Sequence, residues 1–263
     1  MGIVLGGCGA GGASSGTPAV ALVTRAAYVT SQGPGFRMAM SLKGEVGGEA
    51  FSLSASGAFD EQGRRGAMSE AVSGKTVEVL MDLPYFYLQA GGKLIKGKPW
   101  ARFDLEGYTQ ALGVSDSMNT SGSPSEWLDF LKAAGQASTV GGEALRGVPT
   151  THYHVLVDLA RYPGVAPARL RAAAQQEAAL LKRISGQGSL PIDVWIDARN
   201  RVRRFESQIP FCFQGERTTE SESIEVYDYG TQSIPAPPPL SEVSDLTGEL
   251  EKNASRSLQQ LHC

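Results

Sequence analysis

The feature that most constrains the fold of this chain is a series of short segments between residues 36 and 105 in which apolar and polar residues alternate. A period of two places the apolar side chains on one face of a β-strand. Tight-turn residues such as Gly47-Gly48 separate the segments and favour hairpins. The predicted strands are 36–44, 49–59, 67–72, 76–81, 85–89 and 100–105. Strands so closely spaced predict an antiparallel meander with one apolar face.

The rest of the chain supplies helices and a second meander. Helical patterns cover 20–30, 108–112, 125–134 and 166–184, and strands return at 137–145, 151–159, 192–197, 201–209 and 217–229. Strands, then helices, then strands predict one α+β domain. Its core is a single curved antiparallel sheet, or half-barrel, of about nine to eleven strands with helices covering the concave face.

Three parts are therefore expected along the chain. Residues 1–19 form a flexible N-terminal segment, and residues 20–234 form the half-barrel domain. Residues 235–263 form a proline spacer followed by an amphipathic helix from Ser241 to His262.

Charge and hydropathy argue against nucleic-acid binding and against a transmembrane helix. The net charge is -3, with 24 basic and 27 acidic residues, and no basic stripe is present. The chain is therefore not expected to bind nucleic acid. It also has no run of 18 apolar residues, so no transmembrane helix is expected.

The first residues read Met1-Gly-Ile-Val-Leu-Gly-Gly-Cys8, followed by a Gly/Ser-rich tether. This segment resembles a bacterial lipobox, with Leu5 three positions before the cysteine and small residues between. The resemblance implies that Cys8 is the lipid anchor of an exported protein, held at the outer face of the cytoplasmic membrane or in the cell envelope. Two acyl chains on one cysteine satisfy the requirement for stable anchoring. Because only seven residues precede Cys8, we expect the natural start to lie upstream. The alternative is that Met1 is the true start and Cys8 is an ordinary thiol in a flexible segment.

The other two cysteines, Cys212 and Cys263, are a candidate disulfide. An even number of cysteines in an exported protein favours pairing. Two independent thiols remain the alternative, because the sequence does not fix the distance between them.

Chemical motifs are weak throughout. Gly12-Ala-Ser-Ser-Gly16 matches a nucleophile elbow but has neither the strand before it nor the helix after it. His152 and His154 have a spacing that could serve zinc, but no third ligand is evident nearby in the sequence. We therefore expect no enzyme, no metal and no cofactor.

Four short segments, in order, resemble one known family: the actinobacterial lipid-carrier lipoproteins of the LppX and LprG group, which have a LolA-like half-barrel. They are Lys98-Pro-Trp-Ala-Arg102, Tyr153-His-Val-Leu-Val-Asp-Leu159, Leu190-Pro-Ile-Asp-Val-Trp-Ile-Asp197 and Tyr227-Asp-Tyr-Gly230. The resemblance implies a lipid-accepting cavity between sheet and helices. It also implies a lipid or acylated glycolipid as ligand.

The apolar strand positions are the candidate walls of such a cavity. They are Phe36, Met38, Met40, Phe51, Leu53, Val77, Val79 and Met81. The same positions would serve equally in a closed, dry core, and this alternative stays open.

Two functions are carried forward. The first is a lipid-anchored envelope protein that binds or carries a lipid or another apolar ligand. The alternative is an envelope interaction or regulatory lipoprotein without a ligand cavity, which would bind a protein partner through its surface, for example through the C-terminal helix.

Overall fold

The chain folds around one large sheet. The structure, a computed structural model, describes residues 16–46, 48–60, 64–72, 75–90, 95–105, 107, 126–168, 171–213 and 216–258. The strands are β1 (Phe36–Val46), β2 (Glu49–Phe59), β3 (Arg65–Val72), β4 (Lys75–Asp82), β5 (Tyr85–Ala90), β6 (Trp100–Asp104), β7 (Ala134–Leu145), β8 (Val148–Asp158), β9 (Ser189–Asp197), β10 (Val202–Phe213), β11 (Glu216–Tyr227) and β12 (Val243–Asp245).

The predicted single curved sheet is confirmed. The twelve strands lie in the order β12-β6-β5-β4-β3-β2-β1-β11-β10-β9-β8-β7. The two meanders join where β1 pairs antiparallel with β11. Every pairing is antiparallel except that of β12 with β6, which is parallel. The result is an open half-barrel of the α+β class.

The described helices are α1 (Gly16–Ser31), α2 (Glu126–Lys132), α3 (Tyr162–Val165), α4 (Arg171–Ser185) and α5 (Thr247–Leu258). Of the helix predicted at 166–184, residues 166–168 are not α-helical, and residues 171–184 form most of α4. Pro167 and the preceding residue break the helical pattern there, because a residue before proline avoids the helical conformation. The helix predicted at 108–112 lies outside the described residues.

The core lies between the sheet and α1. Val23, Ala26 and Ala27 of α1 are fully buried. They belong to the same cluster as Val155 and Val194 of β8 and β9. Alanines on this helix let its backbone approach the sheet closely. We call the sheet face that packs against α1 the concave face.

The C-terminal part differs from its prediction. The helix expected from Ser241 begins only at Thr247, and Val243–Asp245 forms β12 along the edge of β6. The predicted helix is present over the later residues, Thr247–Leu258. Strand pairing with β6 prevails before them because β6 offers an unpaired backbone edge.

Candidate functional site

The concave face is continuous across the whole sheet. Residues directly opposite each other on neighbouring strands project to the same face. Met38 stands opposite Val226 of β11 and opposite Gly57 of β2. Gly57 in turn faces Met68, and Met68 faces Val79. One row of this face therefore runs from β11 to β4 and is apolar throughout.

All eight predicted wall residues lie on this face. Phe36, Met38 and Met40 alternate along β1, and Phe51 and Leu53 of β2 stand opposite Gly44 and Leu42 of the same β1 face. The β4 residues reach this face through β3, since Met81 stands opposite Gly66, which stands opposite Phe59. The register thus brings together residues up to 45 positions apart in the chain, from Phe36 to Met81.

Burial divides the wall into two ends. At the closed end, Phe36, Met38, Val79 and Met81 are only 3–6% exposed. At the open end, Met40, Phe51, Leu53 and Val77 are half-buried. Along β2, exposure rises from 1% at Phe59 to intermediate values at Leu53 and Phe51. The two ends are therefore a packed core and a partly uncovered apolar surface.

Helices α1 and α4 contact the other half of the sheet. Within the described ranges, α1 contacts β7, β8, β9 and β10, and α4 contacts β10. The half-buried wall residues lie on β1, β2 and β4, on the other side of β11. An apolar wall with thin cover is where an apolar ligand would be bound without unfolding the core.

Three carboxylates on the same face were missed at the sequence level. Glu222 of β11 stands opposite Leu42 and Ser207, and Glu220 stands opposite Ile209. Glu70 of β3 stands between Ala55 and Val77. The Glu-x-Glu spacing in a predicted strand was the available signal, because it places both side chains on one face.

Burial raises the pKa of each of these carboxyls. Loss of water contact, with a smaller repulsion from Glu220, raises the pKa of Glu222 to about 7. Burial alone raises the pKa of Glu70 and of Glu220. The open end therefore combines apolar side chains with carboxyl groups that hold protons more readily than usual.

The two histidines lie on the opposite, outer face. His152 Nε2 and His154 Nδ1 lie 2.8 and 3.3 Å from the same oxygen of Asp193. The His152 ring also stacks on Trp195, with 4.1 Å between centroids. Within the described ranges, no group of three histidine, cysteine or acidic residues is placed to hold a metal ion.

The arginines after β9 form a structural network. The Asp197 carboxylate, only 3% exposed, accepts hydrogen bonds from Arg201 Nε and Arg203 Nε at 3.1 and 2.8 Å. Both guanidinium groups lie over the Tyr229 ring. Although burial opposes ionisation, hydrogen bonds from the Arg201 backbone amide and from these two guanidinium groups hold the pKa of Asp197 below its usual range. The network fastens the β9–β10 turn to the end of β11.

The side chains of three predicted site residues lie outside the described part of the structure. Cys8 and Cys263 lie outside the described residues, and only the backbone of Cys212, in β10, is described. The lipid anchor and the disulfide therefore stay predictions.

The fold and the wall define the class of this protein as a half-barrel with an apolar concave face. Two solved mycobacterial structures share that fold. LprF of Mycobacterium bovis matches 86% of this chain and all of its own, with 16% identity and a TM-score of 0.50. The lipoprotein LppX of Mycobacterium tuberculosis matches 84% of this chain and all of its own, with 12% identity and a TM-score of 0.52. The expected resemblance to the LppX and LprG group is thus confirmed at the level of the fold.

Sequence comparison adds one relative. An uncharacterised 31.2 kDa protein of Streptomyces griseus, from the rplA-rplJ intergenic region, is 28% identical over 169 residues. The match covers 60% of this chain and spans about half (52%) of that relative's length. No family model matches the chain. None of the helices in the described ranges is both long and apolar enough to cross a bilayer.

Proposed function

We propose that this protein is a lipid-anchored cell-envelope protein that binds or carries a lipid, or another apolar ligand, against the open end of its concave face. The observation that carries the proposal is the partly uncovered apolar wall formed by Met40, Phe51, Leu53 and Val77. Large apolar side chains on a concave, incompletely covered surface suit acyl chains, whose transfer from water is favourable.

Two further observations support the proposal. The fold is that of LppX, which is itself a lipoprotein. The eight wall residues belong to one continuous face, so a long acyl chain could lie across several strands. Catalysis is not part of the proposal. Ser207 stands opposite Glu222 on the concave face, but the described histidines that could activate a hydroxyl lie on the outer face.

Mass spectrometry of co-purifying lipid tests the proposal. The chain is produced with Cys8→Ser, so that no covalent lipid confuses the organic extract, in the native host or with its envelope extract added. We expect about one lipid per protein. Leu53→Glu places a charge on the wall and should lower the lipid content at least ~10-fold, because burying a carboxylate among acyl chains is costly.

The neighbouring residue provides the control. Ser54 is exposed and projects to the outer face of the same strand. Ser54→Glu should leave the lipid content unchanged. Absence of lipid from the Cys8→Ser protein would favour the alternative, an envelope interaction module, and would lead to a search for a protein partner.

A further inference from the structure

The C-terminal segment crosses the molecule before it rejoins the sheet. We call Gln232–Leu250 the C-terminal strap. The chain leaves the sheet at the end of β11, near its middle, and returns beside β6 at its edge. In the strand order, β1 to β5 lie between these two points. Four prolines between Pro235 and Pro239 stiffen the first half of the strap.

The strap is attached at its far end. Val243–Asp245 pairs with Trp100–Arg102, and the Leu246 amide donates to the Arg102 carbonyl at 2.8 Å. Arg102 donates to the Asp245 carboxylate at 3.0 Å through Nε. The Thr247 hydroxyl accepts a hydrogen bond from the Asp104 amide. Each of these contacts joins the strap to β6.

Side-chain contacts with β3 and with residues just before β6 complete the attachment. Arg65 donates to the Pro235 carbonyl, and Lys98 donates to the Ser241 carbonyl. Lys96 pairs with Glu249 of α5. These groups are exposed, so each pair contributes little to stability.

The described residues of the strap contribute nothing to the hydrophobic core. None of its described residues is buried, and Leu240 is 67% exposed. The core cluster extends along the chain no further than Tyr229, which packs against its margin. Most of its side-chain hydrogen bonds are exposed to solvent. A segment with few apolar contacts and mostly exposed hydrogen bonds opens locally, without global unfolding.

We propose that the C-terminal strap is a releasable tie: it detaches from β6 in a local opening while the rest of the half-barrel stays folded. Its release leaves β6 as a bare edge, and Phe103 of β6, stacked on Phe86 of β5 at 5.4 Å, lies on the concave face at that edge. The opening is therefore a side route to the concave face. This role as a route rests on the function proposed above, whereas the release itself does not.

Native-state hydrogen exchange on the full chain tests the release. The amides of Asp104 and Leu246 should exchange at least ~100-fold faster than those of Val194 and Ile192 in β9, because they open locally. Asp245→Ala removes both the ion pair with Arg102 and the carboxylate that accepts a hydrogen bond from the Thr247 amide. It should speed exchange at Asp104 and Leu246 by ~3–10-fold, with β9 unchanged.

Glu242→Ala is the matched control. Glu242 is an exposed carboxylate on the same strap, outside the Arg102 pair, so its removal should leave exchange at Asp104 and Leu246 unchanged. Exchange of the strap amides as slow as that of β9 would overturn the proposal. An equal acceleration in the two variants would also overturn it.

A second measurement distinguishes release of the strap from its proposed role as a route for ligand entry. The association rate of anilinonaphthalene sulfonate, a fluorescent anion whose aromatic rings bind apolar surfaces, should rise in Asp245→Ala and not in Glu242→Ala. An unchanged rate together with accelerated exchange would overturn the side route. Failure of the probe to bind any of the three proteins would contradict the proposed function, and hydrogen exchange would still decide whether the strap is released.

Discussion

Glu222 shows how a single residue departs from the pattern around it. It occupies a position on β11 whose neighbours across the sheet are Leu42 and Ser207. Burial there raises its pKa to about 7 from an ordinary 4.5. Between pH 4.5 and about 7, the folded protein therefore holds a proton at Glu222 that the unfolded chain has released.

The sign of the resulting pH dependence follows from linkage. Because the folded pKa is raised, the contribution of Glu222 to stability is fully present below about pH 4.5 and is lost as the pH rises to about 7. Glu222→Gln removes the titrating group. We expect it to stabilise the protein at pH 8 by on the order of 1–3 kcal/mol, and to change stability little at pH 4.5.

Urea denaturation at pH 4.5, 6 and 8 measures this effect. Glu45→Gln, at an exposed position of β1, is the control and should not change the pH dependence. An equal effect of Glu222→Gln at all three pH values would show that Glu222 does not titrate differently in the folded state.

At the scale of elements, the concave face depends on a close approach between β2 and β3. A Cβ atom at Gly57 would lie 2.2 Å from the Ala67 carbonyl oxygen and 2.6 Å from the Met68 side chain. The first of these atoms is backbone, so it cannot move without separating the strands. Glycine at this position therefore allows the row from Met38 to Met68 to form.

Gly57→Ala should consequently destabilise the protein by about 1–3 kcal/mol, as other overpacked positions do. Thermal unfolding measures the change. Gly141→Ala on β7 is the control, because no atom lies within 4 Å of a Cβ built there. Equal melting temperatures of the two variants would contradict the close approach.

At the scale of the whole molecule, the proposed function requires an anchor as well as a wall. Cys8 precedes α1 by a tether of only seven residues, 9–15. A chain of that length spans at most about 25 Å. An acylated Cys8 would therefore hold the half-barrel close to the membrane surface.

Membrane fractionation tests the anchor. In a bacterial host that acylates lipoproteins, with an upstream signal supplied, we expect the wild-type chain in the membrane fraction and Cys8→Ser in the soluble fraction. The loss of two acyl chains removes the principal contribution to membrane binding. Cys212→Ser should remain with the membrane. Retention of Cys8→Ser in the membrane fraction would contradict the predicted lipid anchor at Cys8.

The sequence by itself determined the strands of the two meanders and the apolar face that they share. Period-two alternation predicted the strands of both meanders to within a few residues, and it selected eight residues that the structure places on one face. These features are local: alternation and turn chemistry act within a few residues, so they can be read from the chain.

Only the tertiary structure decided which part of the wall is packed and which is left thinly covered. The difference between Met38 and Leu53 depends on what lies over each residue, and both have the same strand pattern. The placement of Val243–Asp245 beside β6 was decided in the same way, because a free edge elsewhere in the fold competes with local helix propensity. Contacts between distant segments leave no periodic signal in the sequence. They determine which wall residues are covered and which strand pairs at the edge of the sheet.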